Sequence, residues 1–580
     1  MMVLRFALAI GAMATALPAS AASAPALHLT LRPLAGADGR IERLEVVQVW
    51  SGVSAARDAP LLRLPLIVSN VDTVATVLSD LVASDARGAL PLAVRDVSLP
   101  VTAARDAEAG GPSREWIAGR AVQGRITVRY SVPAQATLPP RGAAPPFSLS
   151  NDGGAVSAAG QVFLLLPPGE RRYRLRLDWD LSRAPRGTSA VSSLGRGSLR
   201  PVQPVEGSRL RSSFYMAGPL QVWPEDREAR FLVAAQGTPG FAVPDLASWA
   251  ERLHWQYSRF FGQKQAPAYV VFLRHNPINA GGGVGLDHSF VLTFGAGNGA
   301  DPDKLKLTLA HEMFHTFQPY ISEPPGLESS WFGEGLASLY EARLPLRFGQ
   351  IGPRQFLDEI NFGAGRYYTS KMATVPNSEI PGRFWADTRI RTLPYDRGLL
   401  YFAVVDTAMR KAYGGKRSLD DLVLAMLARQ KAAGRTTNAD WEALLEQELG
   451  AEAVAEFRTF LGGAMPLPDS EAFGPCFRRI TVPLRRYEVG FDPAVLAQPH
   501  RIVRGVVPGS AAHEAGLRDG DEITVPVPQD GIQGDQHQRL TLQLRRAGRE
   551  FAITYLPRGE VVDAYQWERV PGIPDERCAL

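Results

Sequence analysis

The chain has 580 residues, of which 45% are hydrophobic and 21% charged, a composition typical of a globular protein with a substantial core. Its length predicts about three or four domains. The 63 basic and 59 acidic side chains give a formal net charge of +4, and no block of Lys or Arg stands out. The charge therefore gives no reason to expect a nucleic-acid partner.

The N-terminus, residues 1–21, has the three parts of a secretory signal peptide. Arg5 supplies a positive charge, residues 6–17 form a short apolar run, and small residues up to Ala21 form a cleavage site. The run is too short to cross a bilayer, and no later stretch is long and apolar enough to do so. We expect an exported protein, periplasmic or secreted, with no transmembrane segment.

The sequence contains two cysteines, Cys476 and Cys578. An even pair in an exported chain predicts a disulfide, which here would tie the end of the chain to the start of its last domain. The alternative interpretation is that both residues are buried thiols.

Residues 26–236 are predicted to form β structure. Short runs of β-branched or alternating apolar residues are separated by Pro and Gly clusters, as in a sandwich or a long antiparallel sheet. No cluster of catalytic residue types is visible, so we interpret the region as a structural or substrate-guiding module. The predicted strands are 27–31, 44–50, 62–68, 125–132, 162–166, 173–179 and 231–235.

Mixed helix and strand patterns follow from about residue 244. A glycine-rich turn holds Gly283 and Gly285 and leads to Asp287 and His288. No Gly-Lys-Ser/Thr follows the turn, so we interpret it as a flexible approach to a substrate-binding sheet edge and not as a phosphate loop. The predicted elements around it are a helix over 245–261 and strands over 268–274 and 288–294.

A His-Glu-x-x-His motif lies on the next predicted helix, residues 302–318. Positions i and i+4 share a helix face, so His311 and His315 aim their imidazoles at one point. Glu312 lies about 100° round the helix, placed to reach a water on the metal. Two His and a carboxylate hold zinc with a fourth position open, as hydrolysis requires. Glu334, which opens a second helical run, is the natural third ligand.

Two alternatives to this zinc site stay open. Composition alone produces such a motif on the order of once in a hundred chains. His288 is another conceivable third ligand, although a strand histidine is more often a satisfied surface or core residue.

The following segment predicts an all-α lobe, and residues from 486 to about 556 are β-like again. Tyr395 is placed just before the N-terminus of a predicted helix, where its phenol can project into a cleft. The alternative interpretation is an ordinary tyrosine in a turn. The predicted helices are 354–362, 399–412, 419–433 with Ser418 as N-cap, 441–449 with Asn438 as N-cap, and 452–461.

With these residues in view, the chain resembles a gluzincin metallopeptidase, and most closely the M61 glycyl aminopeptidase family. The segments HEMFH and WFGEGLASLY, which hold the three predicted ligands, are similar to the family's metal signature. PYDRGLLYF, which contains Tyr395, resembles the segment that carries the family's transition-state tyrosine. GLDHS, which contains Asp287 and His288, resembles its Gly-Leu-Glu-His motif.

Near the C-terminus, VVPGSAAHEAGLRDGDEI is similar to the core of a PDZ domain, with Gly490-Phe491 in its carboxylate-binding loop. The resemblance covers most of the chain and implies a multidomain α+β fold. Its parts are the signal peptide (1–21), a β-rich N-terminal domain (22–238), a thermolysin-like mixed and α-helical zinc peptidase domain (239–470), and a PDZ β domain with a C-terminal tail (480–580).

The sequence departs from the family at three points. The segment between His315 and Glu334 is shorter than in M61 and has M1-like spacing, without the family's basic Asn-x-Lys-Arg stretch. Asp287 stands where the family has Glu, so its carboxylate is one methylene shorter. The Gly-x-Met-Glu-Asn exopeptidase motif of the M1 family is absent from the sequence.

Together, residues and resemblance imply an exported zinc metallopeptidase, aminopeptidase-like, with one Zn²⁺ per chain. Glu312 is expected to be the general base and Tyr395 the donor to the oxyanion. Glu341 or Ser338 is expected to orient a ligand histidine. The partners implied are a peptide or protein substrate and a peptide C-terminus at the PDZ domain. The residues expected to bind substrate are Gly283, Gly285, Asp287 and His288.

Two other function classes stay open. The chain could be a peptide-binding protein that carries a PDZ domain and has a weak or inactive zinc site, although such a scaffold has no need of Glu312. It could also be a zinc hydrolase that acts on a non-peptide bond.

Overall fold

The computed structural model describes residues 24–100, 110–134, 144–278, 280–527 and 529–578. The predicted signal peptide lies outside these residues. Within them, no helix is both long enough and apolar enough to span a membrane. The expected fold class is confirmed: a multidomain α+β chain with a β-rich N-terminal part followed by a helical region.

The N-terminal region is built from strands, as its alternating sequence predicts. In the first strand Leu27, Leu29 and Leu31 are buried while their neighbours are not, because successive side chains of a strand point to opposite faces. The elements are β1 (Ala26–Ala35), β2 (Ile41–Ser51), β3 (Pro60–Pro65), β4 (Ile67–Val68), β5 (Val71–Asp72), β6 (Ser79–Asp85), β7 (Gly88–Ala89), β8 (Leu92–Leu99), β9 (Gly111–Ala118), β10 (Ile126–Pro133), β11 (Ser150–Asp152), β12 (Ala155–Ala159), α1 (Gly160–Phe163), β13 (Arg172–Trp179), β14 (Ser189–Ser192), β15 (Gly195–Arg196), β16 (Val205–Glu206), α2 (Gly207–Ser212) and β17 (Phe214–Gly218).

These strands form three main sheets. Their orders are β16-β13-β1-β2-β10-β6-β7, β3-β9-β8 and β11-β12-β17-β14-β15. The expected strand over 162–166 is wrong, because α1 occupies its first two positions. A short apolar run does not distinguish a strand from a buried helical turn by periodicity.

A five-stranded sheet joins the N-terminal region to the helical one. Its elements, with the helix that connects them, are β18 (Leu220–Trp223), β19 (Phe231–Gln236), α3 (Val243–Phe260), β20 (Tyr269–His275), β21 (Gly283–Leu286) and β22 (Ser289–Phe294). The strand order is β18-β19-β20-β22-β21, with β19, β20 and β22 parallel and β21 antiparallel at the edge.

Both faces of the three parallel strands of this joining sheet are buried. Along β19, Leu232 and Ala234 belong to the core of the N-terminal region, whereas Phe231 and Val233 belong to the core of the helical region. The sheet therefore holds the two regions together, and its central strands are mostly apolar for that reason. The predicted domain boundary at residue 238 falls between two strands of this one sheet.

The helical region packs around one long buried helix. That helix, Ser330–Arg347 (α5), is buried at every position from Gly335 to Leu346. The helices are α4 (Pro302–Phe314), α5 (Ser330–Arg347), α6 (Pro353–Tyr368), α7 (Ile380–Arg383), α8 (Thr388–Arg391), α9 (Leu393–Ala412), α10 (Leu419–Ala433), α11 (Asn438–Leu449) and α12 (Ala451–Leu461).

Helices α5 and α9 touch through their backbones at two glycines. A Cβ added at Gly398 would lie 2.6 Å from Gly335 Cα and 2.6 Å from the Trp331 carbonyl oxygen. Only glycine leaves room for this approach. Because Gly335 follows Glu334 and Gly398 lies three residues after Tyr395, the contact fixes the distance between those two functional candidates.

The C-terminal module, defined here as residues 477–569, begins and ends in one long antiparallel ladder. That ladder pairs β23 (Phe477–Tyr487) with β28 (Arg558–Arg569). Between them in the sequence lies a four-stranded sheet of β24 (Arg501–Ile502), β25 (Glu522–Ile523), β26 (Leu540–Arg546) and β27 (Arg549–Tyr555), in that order. Cys476 and Cys578, just outside the ladder, form a disulfide with a Cα–Cα distance of 5.1 Å. The helices of the module are α13 (Ala511–Glu514) and α14 (Gln529–Gly534).

The segment expected to form a carboxylate-binding loop is folded into the core of this module. Phe491 is buried, and Gly490 has a φ of 82° and packs against Ser510 and Ala512. The PDZ assignment stays a prediction.

Replacement of Gly398 by Ala should force α5 and α9 apart, at a cost of about 1–3 kcal/mol or more in the free energy of unfolding. Gly382 in α7 is the matched control, because a Cβ there meets nothing within 4 Å. Gly382→Ala should change stability by less than about 1 kcal/mol. Denaturant unfolding of both variants checks this; equal stabilities would contradict the packing argument.

Candidate metal centre

The two histidines of the motif project from the C-terminal end of α4. The helix starts at an N-cap, Asp301, whose side chain accepts from the Asp303 N–H. It ends at Phe314 and not at residue 318 as expected. His315 is its C-cap and keeps helical dihedrals, φ −56° and ψ −25°, so it retains the i,i+4 relation to His311. The ring centroids of the two imidazoles are 4.9 Å apart.

Helix α5 brings Glu334 to the same point. Glu334 Oε2 lies 3.2 Å from His311 Nε2 and 3.3 Å from His315 Nε2. One atom from each of the three side chains lies within 4.8 Å of the others, and His288 is not in the group. Among the described residues, these three are the cluster of His, Cys, Asp and Glu able to hold a metal ion.

The spacing of the three side chains fits zinc. Two ligand atoms about 2.1 Å from one tetrahedral zinc lie about 3.4 Å apart, close to both observed separations. Two imidazole nitrogens and one carboxylate oxygen are also a ligand set that leaves the fourth position open.

The outer nitrogens of both imidazoles are held as zinc binding requires. His311 Nδ1 lies 2.7 Å from Glu341 Oε2, so this nitrogen carries the proton and Nε2 is free to ligate. His315 Nδ1 lies 2.7 Å from the amide of Gln318, whose Oε1 is buried without a partner among the described residues. Rotating that amide by half a turn lets Oε1 accept a hydrogen bond from His315 Nδ1–H.

Of the two residues expected to orient a ligand histidine, Glu341 makes the contact. Ser338 is buried on the same helix, and the contacts of both imidazoles are with Glu334, Glu341 and Gln318. The sequence analysis did not predict the contact of Gln318 with His315. The spacing of three residues was the available signal, because side chains three apart in a helical turn lie on the same side.

Glu312 lies beside this cluster and lines the same cleft. Burial raises the pKa of its carboxyl, and the backbone N–H of Gly285 donates to it. A Cβ at Gly285 would lie 3.1 Å from Glu312 Oε2, so a side chain there would crowd the carboxylate where the edge strand β21 passes it. The glycine-rich segment expected to be a flexible turn is thus partly an ordered strand, Gly283–Leu286.

The sequence predicted Tyr395 just before a helix. In the structure it lies inside that helix, in the first turn of α9. Its ring stacks on His311 with a centroid distance of 5.8 Å and an interplanar angle of 21°. Burial raises the pKa of the phenol well above its usual value, and the charges of Glu334 and Glu312 add to this. The hydroxyl therefore stays protonated and able to donate.

Asp287 and His288 follow the edge strand and line the cleft. The Asp287 carboxylate accepts from Arg209 Nε at 2.6 Å, a partner that the sequence did not indicate. His288 has a φ of 42°, a left-handed conformation that side-chain-bearing residues adopt rarely and that clusters at functional sites. Its Nδ1 is buried without a hydrogen-bond partner among the described residues.

The cleft has a volume of about 980 Å³ and opens between the N-terminal region and the helical region. Its floor holds His315, Glu312, Glu334 and Tyr395, and β21 forms one edge. The opposite wall comes from the N-terminal region and α2, and includes Arg63, Val68, Phe147, Leu166 and Arg211. The N-terminal region therefore shapes the cleft as well as supporting it.

No protein-family model matches the sequence, and no curated protein matches it. Among solved structures, an aminopeptidase N family protein from Idiomarina loihiensis has a TM-score of 0.63 at 15% identity, with 95% of this chain and 99% of that chain covered. An M1 zinc metallopeptidase from Deinococcus radiodurans has a TM-score of 0.45 at 16% identity, with 77% and 94% covered. Leukotriene A4 hydrolase from Saccharomyces cerevisiae has a TM-score of 0.44 at 13% identity, with 77% and 69% covered. The first likeness shows that the chain shares, over nearly its whole length, the fold of an aminopeptidase N family protein.

Proposed function

We propose that the protein is a zinc-dependent metallopeptidase with one Zn²⁺ held by His311, His315 and Glu334. The observation that carries this proposal is the convergence of those three side chains at the floor of a cleft that also holds Glu312 and Tyr395. A metal-binding scaffold needs only the first three. The last two are the groups that hydrolysis adds, a base and an oxyanion donor.

When bound, zinc polarises the scissile carbonyl and lowers the pKa of water toward about 7. Glu312 takes the proton of the attacking water and delivers it to the leaving amine. The same carboxyl group thus serves first as the general base and then as the general acid. The Gly285 N–H donates to the carboxylate and so orients it beside β21.

Tyr395 donates its hydroxyl proton to the oxygen on which negative charge develops. Stacking on His311 places the phenol over the metal ligands, and its raised pKa keeps the donor protonated.

The edge strand β21 offers a binding mode for the peptide. Its inner side pairs with β22, so its outer side has backbone groups for one more extended strand. In this proposal the substrate is cleaved at its N-terminus, as the name of the Idiomarina loihiensis protein indicates for that family. Asp287, shared with Arg209, is then the carboxylate that receives the substrate amine.

Export to the periplasm or outside the cell is part of the proposal. The disulfide between Cys476 and Cys578 supports it, because such bonds persist in oxidising compartments. Membership of the M61 family and binding of a peptide C-terminus by a PDZ-like C-terminal module are further parts, supported by the sequence motifs alone.

Removal of the metal by a chelator should abolish hydrolysis of a peptide library, and Zn²⁺ should restore it, with one zinc per chain by mass spectrometry. Glu334→Gln should lower metal content, whereas Glu328→Gln, outside the ligand cluster, should not.

Matched peptides with free and acetylated N-termini separate amino-terminal from internal cleavage. Hydrolysis that survives complete chelation would exclude the proposal, and cleavage of only non-peptide esters would favour another zinc hydrolase.

Glu312→Gln should retain zinc and lose turnover by about 10²–10⁴-fold, since the amide cannot take the proton. The measurement is kcat on the best library peptide together with zinc content. A variant with full turnover would show that Glu312 is not the base.

Tyr395→Phe should lower kcat by about 10²–10³-fold and leave zinc content unchanged, because one oxyanion donor is lost. Tyr413→Phe is the control: it lies at the end of the same helix and donates to Glu448 at 2.7 Å. A change confined to KM in Tyr395→Phe would argue against the oxyanion role.

A further inference from the structure

Helix α14 of the C-terminal module lies against the segment that leads into Tyr395. The Asp530 carboxylate receives two hydrogen bonds from Arg391, from Nη2 at 2.6 Å and from Nε at 3.2 Å. It also accepts from the Thr388 hydroxyl. Thr388 and Arg391 are the first and last residues of α8. A single carboxylate of the module therefore binds both ends of this one-turn helix.

A second residue of α14 reaches the helix that carries Tyr395. Gln533, 1% exposed, accepts from the Thr388 hydroxyl at 3.3 Å and donates to the Thr392 hydroxyl at 3.4 Å. Thr392 is the N-cap of α9, and Tyr395 is the third residue of that helix. The contact thus extends across the junction of α8 and α9.

Helix α14 is itself fixed from behind. Arg558, 6% exposed, donates to the carbonyl oxygens of Ile532 at 2.6 Å and Gln533 at 3.1 Å. Gly534 packs on the ring of Phe362 in α6, so closely that a Cβ would overlap it. Because both sides of α14 are packed, a displacement at Asp530 is not easily absorbed by the module.

The other neighbours of Tyr395 are held within the helical region. Arg366 makes two hydrogen bonds to Asp396, at 2.6 and 2.7 Å, and Arg397 donates to the carbonyl oxygen of Val375 at 2.7 Å. The α8 side of the junction is the one held by the module. A helix of four residues is not stable alone, so α8 depends on its contacts for its position.

We propose that Asp530 is a positioning residue for Tyr395, so that the C-terminal module is part of the active site's framework. Its carboxylate fixes α8 through Arg391 and Thr388, and α8 fixes the first turn of α9. Loss of that carboxylate leaves Arg391, 6% exposed, as a buried cation without its ionic partner. The guanidinium must then move toward water and take the junction with it. This inference rests on the proposed role of Tyr395 in peptide hydrolysis.

The test is Asp530→Asn made in the wild-type chain and in the Tyr395→Phe chain. In the wild type we expect kcat to fall about tenfold, the lower end of the cost of losing a supporting partner, with KM and zinc content unchanged. In the Tyr395→Phe chain the same substitution should change kcat by less than about twofold, because residues that act through one group are not additive. Equal losses in the two chains, or no loss in the wild type, would overturn the inference. The same measurements on Arg391→Lys test the contact from its other side, because lysine keeps the positive charge that faces Asp530.

Glu522→Gln is the matched control in the same module. Glu522 pairs with Arg545 at 2.9 Å, and its side chain is 35% exposed, compared with 46% for Asp530. It should leave kcat unchanged. An equal loss in this variant would mean that any weakening of the module slows the reaction, and the specific role of Asp530 would be wrong.

Hydrogen exchange gives a readout that does not need activity. Amide exchange over residues 388–397 should rise in Asp530→Asn and not in Glu522→Gln. Unchanged exchange in Asp530→Asn would overturn the inference whatever the enzyme does. Absence of chelator-sensitive hydrolysis in the wild type would instead remove the proposed function, so the two failures are distinguishable.

Discussion

The contact on which the rest of the site depends is that of the Glu334 carboxylate with the two imidazoles of α4. Removing a carboxylate from water is costly unless a partner compensates its charge. Burial raises the pKa of the Glu334 carboxyl, but its interactions with His315 and His311 outweigh burial and hold that pKa well below its usual value. The position of α5 relative to α4 is thereby fixed at the residues where chemistry is proposed. Aromatic packing of Phe314 on Tyr340, at 4.9 Å, reinforces the same pair of helices.

The surroundings of this contact contain more carboxyl groups than its histidines can balance. Burial raises the pKa of Glu312, and burial with the charge of Glu341 raises the pKa of Glu359 to about 8. Glu359 is therefore largely neutral at neutral pH, which removes one negative charge from the group. A divalent cation between Glu334 and the imidazoles would compensate the remaining ones. The carboxyl groups gathered around the two imidazoles thus favour a bound cation on electrostatic grounds.

The cluster proposed to hold the metal and many secondary-structure elements were predictable because their signals are local in sequence. The i,i+4 spacing of two histidines and the capping box of Ser418 with Asp421 both depend on neighbouring residues, and the structure contains that box. One cap was assigned wrongly: Thr437, not Asn438, caps α11, because Asp440 three residues later completes its capping box. The start of α9 was also misplaced. Pro394 in its first turn was a signal for an earlier start, and Gly398, just before the predicted start, lies inside the helix and makes its contact with α5.

What the sequence could not show are the contacts between distant segments. Arg209 lies 78 residues before Asp287, and Arg391 lies 139 residues before Asp530, so no periodicity or spacing connects either pair. In each pair, one residue belongs to a region that flanks the helical region, and the other lies in a segment next to the cleft. The N-terminal region holds the end of β21 through Arg209, and the C-terminal module holds the start of α9 through Asp530. The proposed metal ligands come from two adjacent helices, but the geometry around them is set from both ends of the chain. For that reason we infer that the flanking regions tune the proposed reaction and are not merely appended to it.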